Sequence, residues 1–593
     1  MPPTSLSSLP TEVIPSIANY LNLHDLAQCV LVCDKWAVLF NPFFWRRVRA
    51  GSAFRGYNAW TALVYNIRHI RSLDLVDPLV AQILSFTLQE PGRGAGRLES
   101  LSARFDQEAP SLLRSEKEKE GLTALQLAQS RAFGNVQMLV LMMKANKNLK
   151  SLTVDESCFR RRDGTDAFSY IMENCPTAQL ERLEVWFGRH PSLPSDDGDD
   201  DGDSGEHDVE ELFHILFKAK ASVDDGTHAC FNNLKELVIS GGGRHIDFSR
   251  LAFLARCPNL ERIQVEHIDA TSMLSLGFTL GYFCEKLSCL DWRGAPEKMG
   301  AQGDKSISDL LSALKVQWKE LSLPNLGEGG PKSFAALMKH VGTTLEVLKV
   351  NGLGSVSEDE FLDLLCSAQH LRRLEGPRDG EMSVLMRDIV ISAFEGSHMH
   401  LKDGKERSWA LGPSMEFLQL RILNVPRPDV VCTRHGNPFK DIWAGEDIGL
   451  GSRYVHEWVY KQLGKLTSLQ ELVLGVMELD PKELRERGLE GFPADSLELE
   501  DALRGVFPTF GYYCLEFSLE SGLKMLAGMK ELRMLDVKAT AHRIGVAELE
   551  WMHINWPKLK EIKGLVSARE WAGDVEGGLE VKAAVEECSV PKP

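Results

Sequence analysis

At 593 residues the chain is long enough for several cores, or for one architecture that adds core as it extends. With 44% hydrophobic and 25% charged residues its composition is that of ordinary folded protein, and its net charge of −17 excludes a nucleic-acid surface built on bulk positive charge. The opening "MPPTSLSSLPTE" has neither a basic n-region nor an apolar h-region, and no apolar run reaches membrane-spanning length, so the expectation is a soluble protein of the cytoplasm or nucleus with no membrane partner.

Residues 9–45, "LPTEVIPSIANYLNLHDLAQCVLVCDKWAVLFNPFFW", crowd leucines, valines and tryptophans into a stretch too short to bury them all by itself. Cys29 and Cys33 stand one helical turn apart there, and packing into a core is the reading preferred over zinc ligation. The twelve cysteines contain no C-x-x-C pair and several fall in apolar periodic segments, which suits reduced, buried thiols.

Past residue 50 a short pattern keeps returning. It reads "LERIQV" from Leu260, "LSCLDW" from Leu287, "LEVLKV" from Leu345, "LQELVL" from Leu469 and "LRMLDV" from Leu532. Weaker copies are "IRSLDL", "LESLSA", "LKSLTV", "LERLEV", "LKELVI", "WKELSL", "LRRLEG" and "LRILNV". In the clearest block the first apolar positions are 234, 260, 287, 318, 345 and 371, with steps of 26, 27, 31, 27 and 26, the period of a leucine-rich repeat. The closing L-x-[apolar] alternates like a strand with one face inward. Helical periods precede it: Ile307, Leu310, Leu311 and Leu314 fall on one face, as do Phe334, Leu337, Met338 and Val341.

A strand and a helix joined this way cannot bury both apolar faces alone, but stacked neighbours form one continuous core. The fold class expected is α/β: a small all-α N-terminal module, then a curved solenoid over residues 51–570 with strands concave and helices convex, then a tail at 571–593. Cys175, Cys257, Cys284 and Cys366 close helical segments just before a strand, which resembles the cysteine-containing class of leucine-rich repeat. Gaps such as 371 to 420 and 420 to 469 are near twice the period and hide a degenerate repeat or an inserted loop.

Ten acids fall within residues 196–211, and the stretch at about 190–210 is expected to be a disordered acidic insertion; it lacks the spacing of an EF-hand. No catalytic constellation was found: there is no G-x-x-x-x-G-K-[ST], H-E-x-x-H or G-x-S-x-G. "GRGAGR" at 92–97 and "HMH" at 398–400 read as loops rather than as nucleotide or metal sites. No enzyme activity and no cofactor are expected.

Residues between the apolar strand positions face the concave side: Arg182, Glu184, Trp186, Arg262, Gln264, Glu266, Asp291, Arg293, Lys349, Asn351, Arg373 and Glu375. That mixed-charge, partly aromatic strip suits a protein substrate better than a small molecule. Trp186 is the sharpest candidate anchor, with coverage by a neighbouring segment as the alternative.

The order of landmarks in the opening stretch is specific. Leu9, Pro10, Glu12, Val13 and Ile14 lead to Leu23, Asp25 and Leu26, then Cys29, Val32, Cys33, Trp36, Leu39 and Trp45. This resembles the F-box over residues 5–50, a three-helix module that docks on the Skp-family adaptor of SCF-type ubiquitin ligases. Pro15 is a departure, because proline is tolerated only in a helix's first turn. The resemblance implies that Leu9, Pro10, Ile14, Leu26, Val32, Trp36 and Trp45 include adaptor-contacting residues, some of which belong to the module's own core. Module and repeats together resemble the F-box/leucine-rich-repeat substrate receptors, with cullin and RING subunits reached through the adaptor. The alternative is a repeat scaffold not coupled to a ligase.

Overall fold

The computed structural model describes residues 12–77, 98–104, 139–159, 167–175, 178–187, 230–240, 251–266, 270–293, 300–313, 317–323, 331–350, 358–376, 383–385, 408–423, 448–474, 515–537 and 544–565, with single positions 80, 81, 84, 136 and 268. The acidic insertion, the C-terminal tail, "GRGAGR", "HMH", Leu9, Pro10 and Asn351 lie outside the described residues. The chain divides into two compact units, the first holding residues 1–288, 293–296 and 313–316, the second the rest.

The first unit opens with three helices: α1 Ile14–Tyr20, α2 Leu23–Val32 and α3 Asp34–Phe44. Pro15 lies in the first turn of α1, where its missing N–H would have had no partner anyway, so the departure noted above costs the helix nothing. Asn22 caps α2, its side chain accepting from the Asp25 amide at 2.9 Å. Trp36, Leu39, Phe40, Phe43 and Phe44 follow an i, i+3, i+4, i+7, i+8 pattern along α3 and pack toward Ile14, Ala18 and Leu26.

Repeats follow at once. β1 Arg47–Ala50 is succeeded by α4 Tyr57–Asn66, β2 Ser72–Leu75, β3 Ser100–Ala103, β4 Ser151–Asp155, α5 Glu156–Phe159, α6 Phe168–Glu173, β5 Arg182–Trp186, β6 Glu236–Ser240, β7 Arg262–Glu266 and α7 Ala270–Phe283. The strands pair in chain order, every pair parallel. Alternate residues point inward and are buried: Leu73 and Leu75, Leu101 and Ala103, Leu152 and Val154, Leu183 and Val185, Leu237 and Ile239, Ile263 and Val265.

One backbone device ties each repeat to the next. In most repeats the residue before the strand offers a carbonyl that accepts two consecutive amides of the following repeat, as when Arg71 O receives Glu99 N at 2.8 Å and Ser100 N at 3.0 Å. The same side chains alternate in charge, with ion pairs Arg71–Glu99 at 3.8 Å, Lys150–Glu181 at 3.0 Å and Lys235–Glu261 at 3.7 Å.

The second unit repeats the plan with β8 Cys289–Arg293 (all but its last residue), α8 Gly300–Ala313, β9 Glu320–Leu323, α9 Pro331–Val341, β10 Val347–Val350, α10 Glu358–Ser367 and β11 Arg373–Glu375. It continues through β12 Ser383–Leu385, β13 Phe417–Gln419, β14 Arg421–Leu423, α11 Ile448–Leu463, β15 Glu471–Val473, β16 Met534–Asp536, α12 Val546–Asn555 and β17 Glu561–Lys563. β8 to β11, β13 and β15 to β17 form a parallel ladder, while β12 and β14 pair separately. Asp304 on α8 receives the Ser333 amide at 2.7 Å, satisfying an otherwise orphaned N–H at the start of α9 and locking successive helices together.

The repeat period places the first apolar residue of each clear unit, Leu234, Leu260, Leu287, Trp318, Leu345 and Leu371, at full burial. Three expectations are corrected. First, "LRILNV" from Leu420 is not a ladder strand: its residues 421–423 form β14, and the ladder strand is β13, four residues earlier, in "MEFLQL", with Met415, Leu418 and Leu420 buried. Second, the set of copies gains "WRRVRA", which holds β1 and has Trp45 at its first apolar position. Arg46 O accordingly accepts Arg71 N and Ser72 N at 2.9 and 3.0 Å. Third, Cys33 does not share a helical face with Cys29: it is an exposed extended residue, φ −166°, that separates α2 from α3.

Candidate docking surfaces

The helical module buries four side chains deeply, Ile14, Ala18, Leu26 and Phe40. Around them it leaves a large apolar remainder in water, with Tyr20 93%, Leu31 78%, Val38 76%, Leu23 62% and Val32 60% exposed. α2 and α3 can direct only one face each to so small a core, so Leu31 and Val38 fall outside the phase of Leu26 and Phe40. These exposed apolar side chains make the module a candidate docking surface.

The residues expected to meet an adaptor therefore separate. Val32 is exposed and Trp36 is half-buried, its ring 5.4 Å from Phe40 in a tilted contact. Ile14 and Leu26 are core residues whose side chains have no surface to offer. Trp45 packs edge-on against Phe44, ring centroids 5.7 Å apart, where the module joins the repeats. Asn41 strengthens that junction by donating to the Asn66 side chain at 2.6 Å.

The open strand face is the second surface. In the first unit the register aligns Arg182, Glu236 and Arg262 in one row, Glu184, Val238 and Gln264 in the next, and Trp186, Ser240 and Glu266 in a third. Arg182 bonds Glu236 at 2.5 Å, and Gln264 donates to Glu266 at 2.7 Å. Trp186 is not a protruding anchor: its indole donates to Glu184 at 2.8 Å and the Arg104 guanidinium lies over its ring at 5.1 Å. Arg104 in turn reaches Glu184 at 2.9 Å, so the three side chains form one preorganised cluster. Arg293, at the end of β8, is exposed and 4.0 Å from Glu266.

On the second unit's face Lys349 and Arg373 both hold Glu375 at 3.0 Å, and Arg373 lies 4.1 Å above the Phe417 ring. Burial alone would raise the Glu375 pKa, but the bonds from Lys349 and Arg373 more than offset it and keep the carboxyl below its ordinary value. Asp291 is half-exposed beside Ser322 of β9.

Residues 6–50 match a family model described as F-box-like. No curated protein matches the chain significantly. Among solved structures it is similar to the yeast complex of Rad7 and Elc1, with 15% identity over 59% of this chain and 82% of that one; the TM-score of 0.27 is too low to carry an argument.

Within the F-box-like domain, Tyr20, Leu31 and Val38 were not marked as contacts by the order of landmarks alone. Their signal was present nonetheless, as apolar residues out of phase with the core stripe of each helix. The partners of Trp186 carried no such signal, because Arg104 is distant in sequence and only the strand register brings it over the ring.

Proposed function

We propose that the chain is the substrate-recognition subunit of an SCF-type ubiquitin ligase. Its F-box-like domain docks on a Skp-family adaptor and thereby on cullin and RING subunits, and the open strand face of its leucine-rich repeats holds a protein substrate. The observation that carries this reading is the exposed apolar set of the F-box-like domain, whose three helices, among the described residues, bury Ile14, Ala18, Leu26 and Phe40 deeply. Such a subunit performs no bond chemistry. It raises the effective concentration of a substrate lysine near a ubiquitin-loaded enzyme and orients it.

The test is co-purification of the full chain with a Skp-family adaptor and cullin, followed by reconstituted ubiquitination. Leu31→Ala with Val32→Ala should weaken adaptor binding markedly, since central apolar anchors are worth about 2 kcal/mol each. Substrate capture by the repeats should persist while ubiquitination falls. Absence of adaptor binding by the wild-type chain at micromolar concentration would replace this reading with a scaffold uncoupled from a ligase.

A further inference from the structure

Between Lys35 and Leu73 the sequence holds seven Lys and Arg residues and no Asp or Glu, in a chain whose net charge is −17. The fold gathers part of this run around a pocket of about 200 Å³ where α3 meets the first repeats, lined by Pro42, Phe43, Arg46, Arg68, His69 and Arg71. No carboxylate lines it. Elsewhere in the run Arg55 pairs with Asp77 at 2.6 Å and Arg49 with Asp74 at 3.6 Å, while Arg47 is exposed on β1 and does not line the pocket. Arg71 lies 3.8 Å from Glu99. Arg46 and Arg68 have no carboxylate partner among the described residues, and Arg68 Nε donates instead to His69 Nε2 at 3.2 Å.

Arg68 is also the shared wall of a second, shallower hollow of about 560 Å³ on the outer face of α4, which Tyr57, Trp60, Val64 and Tyr65 help to line. Tyr57 and Tyr65 are 82% and 72% exposed. A cationic pocket and an aromatic shelf thus meet at Arg68, and none of the exposed apolar residues assigned to adaptor docking lines either.

We infer that this junction is a separate peptide-docking site, and that its occupant is an acidic protein segment carrying an aromatic or leucine residue next to its carboxylates. Guanidinium groups converging without a counter-charge repel one another, and a carboxylate accepting paired N–H bonds from Arg46 and Arg68 removes that repulsion. The neighbouring apolar side chain lies on Trp60 and Val64, where burial adds affinity that charge alone does not. Charge complementarity favours a peptide over a nucleic acid. The pocket admits one or two acidic groups, whereas a polynucleotide needs a long track of cations on a surface that is otherwise acidic.

The experiment uses the full chain and a fluorescein-labelled octapeptide, Glu-Glu-Asp-Glu-Phe-Leu-Glu-Glu, read by anisotropy. A companion peptide replaces each acid by its amide, and a single-stranded oligouridylate serves as the nucleic-acid probe. Saturable binding of the acidic peptide is expected, weakened at least about tenfold by Arg46→Glu with Arg68→Glu and by salt raised from about 50 to about 500 mM. A smaller loss, about threefold to fivefold, is expected for Tyr57→Ala with Tyr65→Ala. Arg46→Gln with Arg68→Gln repeats the charge test should the reversals lower the melting temperature. Adaptor binding by all these variants should equal wild type, which separates this site from the F-box-like docking surface. The inference is overturned if the wild-type chain shows no saturable binding of the acidic peptide, if the amide peptide binds equally, if the arginine variants bind as wild type, or if the oligouridylate binds more tightly than the peptide.

Discussion

In the F-box-like domain Ile14, Ala18, Leu26 and Phe40 are deeply buried while Tyr20, Leu31 and Val38 stand in water; in the ladders Leu152, Leu183, Leu237, Leu321, Leu348 and Leu472 are wholly enclosed. Both regions are rich in apolar residues, so composition does not separate them. Neighbours do. Each internal repeat is covered on both sides by copies of itself, and its inward residues have somewhere to go. The three helices meet the repeats only at the α3 end, through Trp45 and the Asn41–Asn66 bond, and much of their apolar surface stays in water. Stability within this chain and exposure to partners are thus divided between ladder and module.

The comparison breaks most sharply at a single ladder side chain. Trp318 is fully enclosed at the first position of its repeat, so Trp318→Ala should cost about 3–5 kcal/mol in denaturant unfolding of the second unit. Its indole N–H has no hydrogen-bond partner among the described residues. Trp318→Phe should therefore cost far less, because the volume lost is offset by removing a buried, unsatisfied donor. An alanine variant within about 1 kcal/mol of wild type would show that the ladder tolerates voids and that enclosure is not what stabilises it.

Thiol reactivity sharpens the same contrast. Burial pushes the pKa of Cys175 and Cys284 up to about 12, with nearby Arg256 pulling Cys175 only partly back. Cys257 is also raised well above the ordinary value, first by burial and then by Cys284. Since the thiolate is the nucleophile, these three should react with iodoacetamide at pH 8 at least about 100-fold more slowly than exposed Cys33, as read by peptide mass spectrometry. Added adaptor should slow Cys33, which lies beside Val32, and leave the ladder thiols unchanged. Rapid labelling of Cys257 in the folded chain would contradict the enclosed ladder.

The same division governs what could be read before the structure. Repeats are legible because a strand of alternating burial must return at a fixed interval, and the recurring L-x-x-L-x-[apolar] states that requirement directly. The register failed where two overlapping segments, "MEFLQL" and "LRILNV", both satisfy it; only pairing with β11 and β15 selects the first. "WRRVRA" escaped because Trp and Ala replace the usual leucine or valine at its ends. Among candidate contacts, the order of residues located the F-box-like domain but could not separate core Leu26 from exposed Val32, a matter of helix phase and of the break at Cys33. Strand alternation marked Trp186 as outward-facing, but the Arg104 guanidinium above it arises from long-range register alone.

On the open face itself the expected effects are smaller, because its ion pairs remain partly in solvent. Glu375→Gln removes the shared partner of Lys349 and Arg373 and should cost about 1 kcal/mol at pH 7. Folding depresses the Glu375 pKa, so the carboxylate's contribution is present above its unfolded value and is lost as pH falls through the folded one. Wild type and variant should converge in stability as pH falls below the folded value. A gap that persists there would mean that Glu375 acts by packing rather than by charge.

The smallest effect concerns His340 on α9, whose Nε2 lies 3.0 Å from the Leu311 carbonyl on α8. Burial lowers its pKa; the bond to Leu311 raises it in opposition, and Lys339 adds to the lowering. With the folded value below the unfolded one, the neutral ring is favoured by folding. Its contribution is complete above the unfolded pKa of about 6.5 and fades as pH falls through the folded value. Wild-type stability should drop by less than about 1 kcal/mol between pH 7 and pH 5 from this group, and His340→Gln, which keeps a donor for Leu311 but cannot titrate there, should lack that component. An NMR titration of the imidazole gives the direct measurement. A midpoint equal to that of a free histidine would mean that the seam between successive helices admits water, making the ladder at that point as open as the module it is contrasted with.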